Sequence, residues 1–142
     1  MTSFYLDAAA AIERACFNEP WDKSSLRGEL SGAGAYFYIA LDGAAPAGYC
    51  GFRAVAGEGE LLRLAVLPEA RRKGLGGELL DAALERVRAL GLERLHLEVR
   101  ASNLPALALY ESRGFAHVGL RRGYYKNPAD DAVLMTYEIF HD

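Results

Sequence analysis

The stretch ELLRLAVLPEARRKGLGGELLDAALERVRALG, residues 60–91, runs from a strand through a basic glycine loop into a helix. Glu60 to Leu67 is an apolar-rich run that stops at Pro68, as a strand does. From Gly74 to Leu90 the apolar residues Leu75, Leu79, Ala83, Val87 and Leu90 recur at helical spacing. Glu78, Asp81, Glu85 and Arg88 take the other face, and Gly91 supplies the stop. Between strand and helix lies Arg71-Arg72-Lys73-Gly74-Leu75-Gly76-Gly77. The first N–H groups of a helix have no partner inside it, and its dipole adds partial positive charge there. Glycines admit a phosphate close to the main chain and the cations attract it, so this loop is a candidate pyrophosphate cradle. It is neither the GxxxxGK(S/T) nor the GxGxxG pattern. Spacing alone leaves a second reading open, a solvated basic loop with a glycine-relaxed helix start.

Downstream, Arg94 to Arg100 alternates: Leu95, Leu97 and Val99 point one way, His96, Glu98 and Arg100 the other. Glu98 lies near the C-terminal end of this strand, where sheet crevices open. A carboxylate there is a candidate general base, directly or through one water. The alternative is an ordinary solvated or salt-bridged glutamate, and His96 has the same ambiguity. Asn103 caps a short helix that begins Leu104-Pro105, passes Tyr110 and Ser112, and stops at Gly114. The Tyr110 hydroxyl is a candidate proton donor to a leaving thiolate, or else a half-buried aromatic with its hydroxyl in water. Phe115–Tyr125 and Ala132–Ile139 read as two final strands around a polar loop from Lys126 to Asp131.

Upstream, Ala8–Phe17 reads as an alanine-rich helix ending at Asn18-Glu19-Pro20. Asp22 is a plausible N-cap for a second short helix through Leu30, and Ser31–Gly34 breaks it. Tyr36–Leu41 and Ala47–Val55 form a hairpin around Asp42-Gly43. The order of elements predicts one α/β (α+β) domain over residues 1–142, a mixed sheet with helices on its faces.

Composition narrows the function. A chain of 142 residues with 51% hydrophobic and 25% charged residues fits a single soluble globular domain. A net charge of −3 argues against a general nucleic-acid binder. Local cationic sites at Arg71–Lys73 and Arg121-Arg122 suit a small anionic ligand better. Cys16 and Cys50 are far apart and read as small core residues in a reducing compartment. With His96, His117 and His141 they make no metal-ligand spacing. No signal peptide or apolar membrane span is visible, so a cytoplasmic protein without membrane attachment is expected.

Taken together the motifs become more specific. Arg71-x-x-Gly74-x-Gly76 after a strand resembles the Q/R-x-x-G-x-G/A signature of the GNAT acetyltransferases. Leu97-Glu98-Val99-Arg100-Ala101-Ser102-Asn103, Leu109-Tyr110-Glu111-Ser112-Arg113-Gly114-Phe115, Arg121-Arg122-Gly123-Tyr124-Tyr125 and Asp131-Ala132-x-x-Met135 look like its Nα-acetyltransferase branch, of the bacterial ribosomal-protein-alanine type. The similarity runs from Phe17-x-x-Pro20-Trp21 almost to the C-terminus.

The resemblance implies the GNAT fold, a central mixed, mostly antiparallel twisted sheet flanked by helices. The family usually begins with a strand, and Ser3-Phe4-Tyr5-Leu6 leaves it short or missing. Acetyl-CoA is the implied donor, without a metal. The implied acceptor is the N-terminal segment of a protein, the alanine of a small-subunit ribosomal protein. Glu98 matches the catalytic base and Tyr110 the acid. Leu64, Ala65 and Val66 match the strand that pairs with the pantetheine arm; a developing oxyanion needs an N–H donor, and Val66, at the strand end, is the candidate. Arg71, Arg72, Lys73, Gly74, Leu75, Gly76 and Gly77 match the pyrophosphate loop, and Asn103 a further coenzyme contact. Trp21, Tyr124 and Tyr125 fall in the acceptor cleft. An acetyltransferase acting on lysine or a small amine, a non-catalytic acetyl-CoA sensor and a nucleotide-binding module are the competing readings.

Overall fold

Six strands and four α-helices make up the computed structural model, which describes residues 3–139. In chain order these are α1 (Ser3–Cys16), α2 (Lys23–Glu29), β1 (Ala35–Asp42), β2 (Ala45–Val55), β3 (Glu58–Val66), α3 (Leu75–Ala89), β4 (Arg94–Arg100), α4 (Leu104–Ser112), β5 (Ala116–Lys126) and β6 (Ala129–Glu138). The sheet order is β1-β2-β3-β4-β6-β5. Gly43, at φ 66°, allows the two-residue turn that pairs Asp42 with Ala45. Every neighbouring pair is antiparallel except β3–β4, which is parallel and joined through α3, the kind of connection a parallel pair requires.

That parallel pair decides the shape of the molecule. It is held only through Glu58–Arg94, Gly59–Leu95 and Glu60–His96. β3 nevertheless stays paired with β2 as far as Val66, and β4 with β6 as far as Arg100. The two halves of the sheet therefore part beyond Glu60 and leave a wedge between them.

Each face carries its own core. Leu75, Leu79, Leu80, Ala83, Leu84 and Val87 of α3 pack with Cys50, Phe52, Leu61, Leu95, Leu97, Val99 and Met135, and Tyr110 and Phe115 join them. Fully burying one such aliphatic side chain contributes about 1.5–3 kcal/mol. On the other face Leu6, Ala9, Ala10 and Ile12 of α1 and Leu26 of α2 cover Tyr49 and Ala65.

The capping residues act as their types predict. The Asp22 side chain accepts from Ser25 N–H, and Asn103 from Ala106 N–H. Other readings are corrected. Leu90 is 38% exposed while Leu80 and Leu84 are buried, because the apolar face of α3 meets both sheet and α4 and is wider than one stripe. The expected polar loop from Lys126 to Asp131 shrinks to Asn127-Pro128, since Tyr125 pairs with Asp130 and Lys126 with Ala129. Cys16 is half-buried beside the wedge and only Cys50 is core. Ser3-Phe4-Tyr5-Leu6 opens α1, and no strand precedes it among the described residues. His141 lies outside them.

Candidate active site

The wedge is a cleft of about 810 Å³. Leu64 and Arg63 of β3, Glu98 and Arg100 of β4, and Tyr110 of α4 with its cap residue Asn103 wall it. Trp21 before α2 and Tyr124 and Tyr125 of β5 close the other side. Residues separated by more than a hundred positions meet here because the sheet divides.

On the β3 side the wall is bare backbone. Leu67 N–H is bonded to Ala47 carbonyl at 2.8 Å, so by the alternation of an antiparallel ladder Val66 and Leu64 turn their N–H groups away from β2, toward the cleft. β4 has already departed and does not take them. The Val66 carbonyl accepts from Arg71 Nε at 3.0 Å and from the Cys16 thiol at 3.4 Å. Ala65 turns its side chain into the α1 core and offers no wall.

At the end of β3 the basic loop reaches α3. Arg72, at φ 67°, and Gly74, at φ 81°, take left-handed conformations that bend the chain into the helix start. Leu75 is buried in the core and fixes that start. The three cations differ in duty. Arg71 folds back onto Val66, Lys73 pairs with Asp42 at 2.7 Å, and Arg72 has neither an ion pair nor a side-chain hydrogen bond to any described residue. Gly76 faces Leu109 and Leu64, and Gly77 lies against the Arg113 guanidinium, which is held by Asp81 at 3.0 and 3.2 Å. A free main-chain edge leading to a glycine-relaxed helix start fits an elongated ligand with a pantetheine arm and a pyrophosphate.

Glu98 projects from β4 with its side chain 31% exposed and Arg121 Nη1 3.9 Å away. The Tyr124 hydroxyl is held above the ordinary phenol value, chiefly by its hydrogen bond to Glu98 and by that charge. Tyr110 sits on α4, buried and edge-on to Phe115. Burial pushes its hydroxyl well above the ordinary value, so it keeps its proton at neutral pH. A carboxylate and a protonated phenol thus line one cleft. His96 is engaged elsewhere, with Nδ1 2.8 Å from Thr136 Oγ1 and Nε2 2.7 Å from Glu58.

On the far side, Tyr124 and Tyr125 meet edge to face at 5.1 Å, and Arg100 lies 4.2 Å over the Tyr125 ring. Arg100 also donates to the carbonyls of Pro128 and Asn127 at 2.8 and 3.2 Å. Asn127 reaches across the cleft mouth, donating to Glu19 at 2.7 Å and accepting from Asn18 at 3.2 Å. Trp21 stacks on the Arg63 guanidinium at 4.3 Å. Arg63 carries no local mark in the sequence, whereas its partner Glu13 falls seven residues after Leu6 on the buried stripe of α1, where a carboxylate demands partners.

Comparison with known proteins gives the family and the fold. Residues 6–115 match the acetyltransferase (GNAT) family, and the chain belongs to that family. A Bacillus subtilis relative is 37% identical over 136 residues, 94% of this chain and 89% of its own. The ribosomal protein bS18-alanine N-acetyltransferase of Escherichia coli K12 is 35% identical over 136 residues, 94% of this chain and 91% of its own. The crystal structure of the E. coli ribosomal-protein-S18-alanine N-acetyltransferase matches at TM-score 0.92 and 32% identity, covering 100% of this chain and 92% of that one.

Proposed function

We propose that this chain transfers the acetyl group of acetyl-CoA to the N-terminal α-amino group of a protein, with the alanine N-terminus of a small-subunit ribosomal protein as acceptor. One observation carries the reading. Glu98 and Tyr110 line a single cleft whose third wall is the free edge of β3, in a chain similar along most of its length to an enzyme named for that reaction.

Acetyl-CoA supplies the acetyl group as a thioester, and the chain's own groups do the rest. The N–H groups of Leu64 and Val66 align the donor along β3, and the amides from Arg72 to Gly77 receive its pyrophosphate, with Asn103 adjoining. An α-amino group has a pKa near 8 and is partly neutral at pH 7, so a modest base suffices. Glu98 takes its proton, through water, and the amine nitrogen bonds to the carbonyl carbon. Val66 N–H donates to the oxygen on which charge develops. As the carbon–sulfur bond breaks, Tyr110 gives its proton to the departing sulfur. No covalent intermediate with the chain is needed. Trp21, Tyr124 and Tyr125 hold the acceptor's main chain.

The test is acetyl transfer to a panel of short peptides differing at the first residue. An Ala-initiated peptide is expected to be acetylated, and the same peptide with a blocked N-terminus is not. Activity confined to lysine side chains or small amines would overturn the assignment.

A further inference from the structure

We propose that Arg63, held by Glu13, is a positioning residue that sets the acceptor wall of the cleft; this rests on the acetyl-transfer reading above. Glu13 has a side chain with 0% exposure, and a buried carboxylate persists only where it is paired and hydrogen-bonded. Its three partners converge from three elements. Trp21 N–H donates to Oε1 at 2.8 Å, the Tyr49 hydroxyl donates to Oε2, and Arg63 Nε lies 3.2 Å from Oε2 as an ion pair without hydrogen-bond alignment.

Arg63 is clamped on both sides. Its guanidinium lies 4.2 Å over the Phe17 ring and 4.3 Å over the Trp21 ring. These are the two ends of the connection from α1 to α2, whose middle, Asn18 to Pro20, lines the cleft. One planar cation therefore joins both ends of the loop, and the carboxylate behind it takes the loop's own amide. A β-bulge aims this cation: Gly51 pairs with Arg63 but Phe52 with Leu61, so Leu62 is extra and the face alternation shifts. Arg63 thereby turns to α1, while Leu61 faces the α3 core.

Phe17 and Trp21 of the clamp line the cleft together with Tyr124 and Tyr125, the residues read above as holding the acceptor. Loss of the clamp is expected to weaken acceptor binding and to spare the donor. Planarity is the decisive property, because a lysine ammonium carries the charge but cannot lie flat between two rings.

The experiment uses Arg63→Lys in the full chain, with Glu13→Gln as a second variant that removes the charge at near-constant volume. Trp21 is the single tryptophan of the chain, so acrylamide quenching of its fluorescence reads the loop directly. Expected for Arg63→Lys are a folded protein, faster quenching of Trp21 and an acceptor-peptide KM raised roughly tenfold. The KM for acetyl-CoA and kcat stay within about twofold of wild type, a change too small to signal a lost contact. Unchanged quenching with unchanged acceptor KM in both variants would overturn the proposal, as would equal rises in both KM values. If wild type acetylates no peptide, the functional reading fails, and the quenching comparison still decides whether Arg63 holds the loop.

Discussion

At the scale of single residues, the cleft brings a carboxyl side chain and a phenol together. Glu98 is partly open to solvent and faces a cation and a phenol, whereas Tyr110 is enclosed and keeps its proton. Glu98→Gln retains shape and loses the proposed base, so kcat should fall about 10²–10⁴-fold while calorimetric titration gives an unchanged affinity for coenzyme A. Tyr110→Phe keeps the edge-on contact with Phe115 and should lower kcat with little change in thermal midpoint. Both side chains are visible in the sequence as candidates. Their meeting in one cleft is not, because eleven residues, a helix cap among them, intervene.

At the scale of elements, two glycines that look alike in sequence have opposite tolerances. A side chain on Gly48 of β2 would meet the Ala65 carbonyl at 2.8 Å and the Val66 and Leu79 side chains at 3.2 and 3.3 Å, and the backbone oxygen cannot yield. Gly48→Ala is expected to destabilise by about 1–3 kcal/mol, the cost of overpacking, measured by urea unfolding. A side chain on Gly77 of α3 would meet only the tip of Arg113. Displacing it breaks an exposed pair with Asp81, a loss of about 0–1 kcal/mol. Gly77→Ala should therefore stay folded and weaken coenzyme A binding at the α3 start, and adding Arg113→Ala should restore much of it. The cap of α4 is a simpler case: Asn103→Ala is expected to cost about 0.5–2 kcal/mol and to disturb the cleft wall as well.

At the scale of the whole molecule, the buried ionisable groups make a statement about pH. Burial pushes the Cys50 thiol from 9.0 up to about 12, and it raises Tyr49 and Tyr110 in the same direction. Each group is protonated when folded and ionises more readily when unfolded. Their contribution is fully present below the unfolded values and is lost as pH rises through the folded ones. Stability should therefore decline above pH 9, between the two thiol values for Cys50, in denaturant titrations at a series of pH values. Cys50→Ala should make that decline shallower, whatever it does to stability at pH 7. On the acid side, Asp22 and Asp130 are both lowered, chiefly by hydrogen bonds from Ser25 and Ser102 respectively. Their stabilisation is present above the unfolded aspartate value and is lost as pH falls through the lowered ones.

The sequence by itself determined the order of elements, the caps at Asp22 and Asn103, the glycine-relaxed start of α3 and the family to which the chain belongs. These are local matters of periodicity, turn chemistry and motif spacing. Other features were decided only by tertiary structure. The parting of β3 and β4 after Glu60 depends on which strand each one pairs with. The bulge at Leu62 turns Arg63 against strict alternation, and no local signal marks it. The reach of Asn127 to Glu19 and the burial of Glu13 beneath Trp21 join segments distant in the chain. A catalytic cleft is made of non-local contacts of that kind, and short-range pattern cannot record them.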